Sequence, residues 1–267
     1  MTPTFAFFLG CNIPARMPWY ADSARAVADA LGIGLVSMPA FSCCGYPLKN
    51  PDAGAAALSA ARNLALAEEK GLDVVTLCSC CHGALATGQW LLEKDPGLAG
   101  KVNGLLALEG LKYRGKARVR HFLNVVDEEA GEAGIRERVK KPLDGLPVAI
   151  QYGCHLLRPS RITRVDDPMN PTVCDRLLSA AGCRSVAYGR KMDCCGAPVL
   201  PTDPDMARRF AQRKLASARE AGAEVLVPVC TYCHLFLSAQ PVQEGAEPLP
   251  LMTFTQVLAR ALGVCSL

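Results

Sequence analysis

No stretch of this chain approaches the roughly 18 consecutive apolar residues of a membrane-spanning helix, although half of its 267 residues are hydrophobic. Aromatic residues are scarce, at 6%, and no run of Lys or Arg accompanies the net charge of +4. A nucleic-acid surface, which needs a basic stripe and stacking rings, is therefore not expected. The apolar start Phe5-Ala6-Phe7-Phe8-Leu9-Gly10 is short and follows no basic segment. Neither a signal peptide nor a lipoprotein signal ending at Cys11 is expected from it. The chain also has no G-x-G-x-x-G dinucleotide fingerprint and no C-x2-C-x2-C-x3-C-P ferredoxin run, so it needs outside electron carriers for any redox work. Histidine is rare, with only four residues. Cysteine, by contrast, is abundant: there are fourteen. Disulfide-dense scaffolds are usually small and core-poor, whereas this chain is long and rich in Leu, Val and Ala. A reduced, cytoplasmic protein is expected, in which cysteine density points to metal or redox chemistry.

The cysteines are organised. Phe41-Ser42-Cys43-Cys44-Gly45 returns as Met192-Asp193-Cys194-Cys195-Gly196, and each vicinal pair sits in a larger frame. The first frame runs from Cys11 through Cys43-Cys44 to Cys78-x-x-Cys81. The second runs from Cys154 through Cys194-Cys195 to Cys230-x-x-Cys233, with intervals close to those of the first. Ten cysteines belong to this twice-written pattern, while Cys80, Cys174, Cys183 and Cys265 read as plain buried thiols.

The intervening sequence explains how such distant thiols could meet. Thr4 to Leu9 reads as a buried strand, Pro18 to Leu31 as a helix ended by Gly32, and Ile33 to Met38 as a second strand. Pro51 to Lys70 is an Ala-rich amphipathic helix, and Leu72 to Leu77 a third strand that runs into Cys78. Residues 97–145 are more charged, with surface helices expected over Val119 to Glu129 and Gly134 to Lys141 and a linker over Lys141 to Gly145. Val148 to Tyr152 restarts the pattern, followed by strands near Ser185 to Tyr188 and Val225 to Val229 and a helix over Asp203 to Ala221. Strands joined by helices imply parallel sheets. Every motif cysteine then follows the C-terminal end of a strand, the edge where ligands bind in such sheets. The expected fold is α/β in two duplicated halves, 1–145 (with a helical extension over about 97–145) and 146–267, related by a pseudo-two-fold.

Four uses of the ten thiols are open at this point. Buried free thiols would not repeat in a ten-residue pattern. Zinc takes four thiolates, fewer than the five per half, though a zinc in one half remains an alternative. Cys78-Ser79-Cys80-Cys81-His82 and Cys230-Thr231-Tyr232-Cys233-His234 both match the c-type haem pattern, but haem leaves Cys11, Cys154 and both Cys-Cys-Gly elements without a role. An iron–sulfur cluster uses all of them.

The same residues resemble the Cys-Cys-Gly domain proteins, specifically the B subunit of heterodisulfide reductase and its bacterial relatives. The likeness also includes Gly153-Cys154-His155-Leu156-Leu157-Arg158-Pro159 and Thr253-Phe254-Thr255-Gln256. The spacings before each C-x-x-C are a residue or two shorter than the family pattern. The resemblance implies Rossmann-like halves, each binding a non-cubane 4Fe-4S cluster: one on Cys11, Cys43, Cys44, Cys78 and Cys81, the other on Cys154, Cys194, Cys195, Cys230 and Cys233. It implies, as partners, a ferredoxin-like iron–sulfur subunit and a flavin subunit. It further implies an oxidoreductase that cleaves or forms a sulfur–sulfur bond of a disulfide or protein-bound sulfur substrate in one-electron steps. The rival expectations are an electron relay without bond chemistry and a subunit running in the oxidative direction of sulfur metabolism. His155, next to Cys154, is assigned proton delivery, with His82 and His234 as structural residues. Arg158, Arg161 and Arg164 are expected either to meet anionic substrate groups or to form a solvated or partner-facing surface.

Overall fold

Strand β1 (Thr4–Phe8) lies at the centre of the first sheet, with Phe5 to Phe8 all buried. Such burial on both faces is why it reads as an unbroken apolar run. It pairs in parallel with β2 (Gly34–Ser37) and β3 (Asp73–Thr76), and β4 (Val119–His121) joins β3 to give the order β2-β1-β3-β4. The second sheet repeats this around β5 (Pro147–Gln151), flanked in parallel by β6 (Arg184–Ser185) and β7 (Val225–Pro228). In place of a fourth strand, Leu251 makes a single parallel bridge to Leu226. The structure is a computed structural model that describes residues 2–240 and 248–264; Cys265 lies outside the described residues.

Helices cover both sheets. The first half contributes α1 (Asn12–Arg16), α2 (Pro18–Leu31), α3 (Ala53–Glu69), α4 (Ser79–Lys94), α5 (Pro96–Leu106), α6 (Phe122–Glu129) and α7 (Gly131–Arg138). The second contributes α8 (Cys154–Leu157), α9 (Ser160–Thr163), α10 (Val173–Ala180), α11 (Pro204–Glu220), α12 (Thr231–Ser238) and α13 (Phe254–Leu262). The duplication is close to residue-exact between the Cys-Cys-Gly loops and the helices that follow. Asp52 caps α3 through the Ala55 N–H and Asp203 caps α11 through the Met206 N–H, a constant shift of 151 residues. Each loop glycine has positive φ, +83° at Gly45 and +97° at Gly196. A Cβ on them would meet the Ala56 and Ala207 carbonyl oxygens respectively, again 151 residues apart. Both loops therefore rest on a helix backbone that only glycine lets them approach.

The surface helix expected over Val119 to Glu129 is not what forms. Val119–His121 is instead the fourth strand, and in α6 Phe122, Leu123, Val125 and Val126 are fully buried. The charge of the surrounding sequence hid a strand and an inward apolar face. The second expected surface helix begins three residues earlier, at Gly131, and ends at Arg138. The strand near Ser185 to Tyr188 closes at Ser185, after which the Tyr188 hydroxyl donates to the Ile150 carbonyl at 3.1 Å.

The core ignores the division into halves. Helix α13, last in the second half, packs on α2 in the first, where the Ser23 and Thr255 hydroxyls meet at 2.8 Å in the interior. Phe254, Val257, Leu258 and Leu262 are buried to 1% exposure or less. At about 1.5–3 kcal/mol per buried side chain, this shared packing holds the two sheets in fixed relation.

Two buried histidines make the fold sensitive to acid. His82 and His121 face each other with ring centroids 5.9 Å apart. Burial lowers His82 from 6.5 to about 3 and His121 from 6.5 to about 4. Their neutral forms are the ones the fold accommodates, so the unfolded chain binds more protons below about 6.5 and stability falls as pH drops. The thermal midpoint is expected to decline steadily from pH 7 to pH 4, more steeply in the native chain than in His82→Leu. Equal slopes in the two proteins would dismiss this assignment.

Candidate functional site

Eight of the ten motif cysteines lie in the connections that follow the C-terminal ends of strands, Cys11 after β1, Cys43-Cys44 after β2, Cys78 after β3, Cys154 after β5, Cys194-Cys195 after β6 and Cys230 after β7, and Cys81 and Cys233 lie in the first turns of α4 and α12. Cys78 and Cys230 are the N-caps of α4 and α12, where the helix dipole favours negative sulfur. Cys11, Cys43, Cys44, Cys78 and Cys81 line one small cavity together with Cys80, Tyr46 and Tyr232. In the second half Cys154 contacts Cys194, Cys194 contacts Cys195, and Cys195 contacts Cys233, which contacts Cys230. The two sets are not separate. Cys78, Cys80 and Cys230 have their sulfurs within 4.8 Å of one another, and Cys80 Sγ stands 3.8 Å from Cys230 Sγ. Sulfur thus runs without a break across the pseudo-two-fold.

Ser79 fastens this junction: its hydroxyl donates to the Tyr152 carbonyl at 3.4 Å and the Val229 carbonyl at 3.3 Å, tying the start of α4 to the second sheet. Gly153 is needed there too, because a Cβ would lie 3.2 Å from Cys230 Cβ at a φ of +82°.

Charge in the cluster is shared unequally. Hydrogen bonds from the Cys43 and Cys81 thiols lower Cys44 to about 4. The Cys154 and Cys195 thiols lower Cys194 to about 2, helped by the Gly196 N–H, which donates to its sulfur at 3.3 Å. The thiols of Cys230, Cys80 and Cys81 hold Cys78 well below the usual thiol range. Negative charge is therefore favoured on one cysteine of each Cys-Cys pair and on Cys78 at the junction. Reduced, converging, partly ionised sulfurs of this kind are the donor set of soft metals and of iron–sulfur clusters.

His155 is the one histidine among the sulfurs. Its Nδ1 lies 3.7 Å from both Cys80 Sγ and Cys154 Sγ, and its Nε2 lies 3.0 Å from Lys49 Nζ. An ammonium only donates, so Nε2 accepts and Nδ1 carries the proton toward sulfur. Burial first, and the Lys49 charge second, lower its pKa. His82 and His234 are buried with Nδ1 unpartnered among the described residues. The three arginines after Cys154 separate. Arg158 lines a cavity of about 210 Å³ with Tyr46, Lys49 and His155. Arg161 and Arg164 line a different one of about 360 Å³ with Trp90, Arg118 and Arg120.

Cys174 and Cys183 are buried away from the cluster as expected, but Cys80 is not a bystander. It lies inside the first C-x-x-C, and only the approach of the second sheet, which brings Cys230 and His155 to it, gives it importance. Lys49, Gln151 and Lys214 were equally silent in sequence, because an isolated polar residue on an amphipathic helix or strand end carries no pattern.

Residues 5–86 and 148–238 match the CCG cysteine-rich domain family, which makes this a tandem cysteine-rich-domain protein. The chain is 34% identical over 97% of its length to the heterodisulfide reductase B-subunit-like protein of Archaeoglobus profundus, covering 90% of that protein. It is 33% identical over 97% of its length to the B subunit of the ferredoxin:CoB-CoM heterodisulfide reductase of Methanosarcina mazei, covering 89% of it. It is also 32% identical over 99% of its length to the 8-methylmenaquinol:fumarate reductase membrane anchor subunit of Wolinella succinogenes, covering 94% of it. The chain belongs to the family of heterodisulfide reductase B subunits. In fold it resembles a hypothetical protein from Helicobacter pylori, with a TM-score of 0.78 and 16% identity over the whole chain, which spans half of that longer protein. Among the described residues no helix is long and apolar enough to cross a membrane.

Proposed function

We propose that this chain is the iron–sulfur subunit of a heterodisulfide reductase-like complex in the cytoplasm. It would be built from two cysteine-rich units, 1–145 and 146–267, and carry two non-cubane 4Fe-4S clusters. Cys11, Cys43, Cys44, Cys78 and Cys81 would hold one, and Cys154, Cys194, Cys195, Cys230 and Cys233 the other. When bound, the clusters supply electrons one at a time for the cleavage or formation of a sulfur–sulfur bond. The observation that carries this reading is the meeting of the two cysteine sets at Cys78, Cys80 and Cys230, whose sulfurs lie within 4.8 Å of one another.

The protein groups around that junction have definite work. His155 presents its Nδ1 proton to the junction, where a thiolate leaving a broken S–S bond needs one, and the Lys49 ammonium passes a proton to Nε2 as Nδ1 gives its own away. Lys49 holds the ring in that tautomer through Nε2. The cavity beside them is lined by Lys49 and Arg158, cations suited to a disulfide with anionic substituents. Relatives of this chain are named as subunits, and partners here would be a ferredoxin-like iron–sulfur subunit and a flavin subunit that deliver or remove the electrons.

Metal analysis and electron paramagnetic resonance on anaerobically prepared protein test the cofactor. Two four-iron clusters predict about eight irons per chain. The cluster of Cys78, Cys80 and Cys230 also favours a second reading, one zinc shared between the halves. A stoichiometric zinc with no iron signal would replace the proposal by that one. Reduced complex mixed with candidate disulfides separates catalysis from mere relay, because a relay releases no thiol. A complex that instead takes electrons from thiol substrates and reduces its partners runs oxidatively.

A further inference from the structure

The two halves bury different charges beneath their sulfurs. The shift of 151 residues that superposes α3 on α11 pairs Asn63 with Lys214. Both are completely buried, and both tie down a Cys-Cys-Gly loop. Asn63 does so as a neutral amide: its Oδ1 accepts from the Ser42 N–H at 2.8 Å and its Nδ2 donates to the Cys43 carbonyl at 3.0 Å. Lys214 does so as an ammonium, donating to the Arg190 carbonyl and, at 3.4 Å, to that of Lys191. Its third partner is Gln151 Oε1 at 2.6 Å, and Gln151 Nε2 in turn points at Cys233 Sγ from 3.9 Å. The strand position matching Gln151 in the first half, three residues before the lone cysteine, is Phe8, which offers sulfur no donor.

No carboxylate pairs with Lys214 among the described residues. The acids nearby are already engaged, Asp193 by Arg190 at 2.7 Å and Asp175 by Lys191 at 3.0 Å. Burial lowers Lys214 to about 8, with the Cys233 and Cys195 sulfurs opposing that shift, so it stays charged at neutral pH. A cation this deep, held only by neutral oxygens, is strongly disfavoured unless an anion stands close by. The second sulfur set, which Gln151 links to Lys214 through Cys233 Sγ, is the group that would carry that charge. Lys49, the cation near the first set, is exposed and screened by water.

Adding an electron makes a cluster more negative. A fixed buried cation, and a donor aimed at a ligand sulfur, both favour the reduced form and so raise the reduction potential. We propose that Lys214, acting in part through Gln151, holds the second half at a higher reduction potential than the first, so that the first electron to enter the chain comes to rest on the Cys154–Cys233 side. This rests on the reading that each sulfur set binds an iron–sulfur cluster. It makes the duplicated halves unequal, with the first the donor and the second the acceptor. Lys214 is then a tuning residue that touches neither substrate nor the bond broken.

Potentiometric titration of the full chain, followed by electron paramagnetic resonance and iron analysis, tests it. The unsubstituted protein is expected to show two midpoints, with the higher one missing in Cys194→Ala. Lys214→Gln keeps a hydrogen-bond donor and removes the charge. At a fixed potential it is expected to lower the reduced-to-oxidised ratio of the second signal about tenfold, about 59 mV for one electron, with the first signal and the iron content unchanged. Should Lys214→Gln fail to fold, Gln151→Met and the order of midpoints in the unsubstituted chain still decide. Equal midpoints, a higher midpoint assigned to the first half, or a Lys214→Gln titration identical to the native one would overturn the inference. A Cys194→Ala protein that keeps all of its iron would instead overturn the reading beneath it, that these five cysteines hold a cluster.

Discussion

Cys194→Ala is expected to cost the protein about half of its iron and to reduce disulfide turnover by at least about 100-fold, the upper range for loss of a group that merely supports a metal ligand. The reason lies in the position of this sulfur. It receives hydrogen bonds from the Cys154 and Cys195 thiols and the Gly196 N–H, which hold it far below the usual thiol range. Removing it leaves Cys154 without its thiol partner and opens the second set to solvent from the loop side. Cys174→Ala is the control. That thiol is fully buried, where Cys194 is only half-buried, and it stands against Tyr152 and Asp175 rather than in the string, so iron content and turnover should be retained. If Cys194→Ala protein kept its iron and turned over disulfide at the native rate, the ligand assignment for the second half would be wrong.

Gly196→Ala should be the most damaging single methyl group in the molecule. At a φ of +97° an L side chain is strained, and the new Cβ would sit 2.4 Å from the Ala207 carbonyl oxygen and 3.0 Å from the Phe236 ring. A helix carbonyl cannot move aside without breaking its own hydrogen bond, so the Cys194-Cys195 loop must lift instead. Strain and clash together are expected to cost about 3 kcal/mol or more, a fall of roughly 6–12 °C in thermal midpoint for a chain of this size. The second-half iron should be lost with it. Gly45→Ala has the same fault in milder form, with 2.8 Å to the Ala56 carbonyl oxygen, so its fall should be smaller. Differential scanning calorimetry with iron analysis on both variants checks the order. A Gly196→Ala protein melting within a degree of native with full iron would show that the loop does not depend on this contact.

The periodicity of the chain made much of the architecture legible. Apolar runs such as Phe5 to Phe8 and Val74 to Val75 are buried on both faces, and a buried parallel strand cannot hide its composition. Helices α2 and α3 declared themselves through Pro18, Gly32 and Pro51, whose backbone roles are local, although α3 starts only at Ala53 behind the Asp52 cap. Sequence failed where the deciding contact was distant. Val119 to His121 carries Arg120 and reads as part of a polar helix, and it becomes a strand only because β3 offers it an open edge. Helix α13 belongs to the second half by sequence yet packs on α2 of the first, which no local pattern announces.

The sequence by itself determined that two parallel sheets would each bring five cysteines to one edge, because the strand periods and the repeated Cys-Cys-Gly frame are local facts. Only the tertiary structure decided how the two edges face. Their apposition sets Cys80 against Cys230 and His155, joins two sulfur sets into one, and buries Lys214 where its counterpart is Asn63. These are contacts between residues far apart in the chain, fixed by the packing of one sheet on another and by the cost of leaving a buried charge alone.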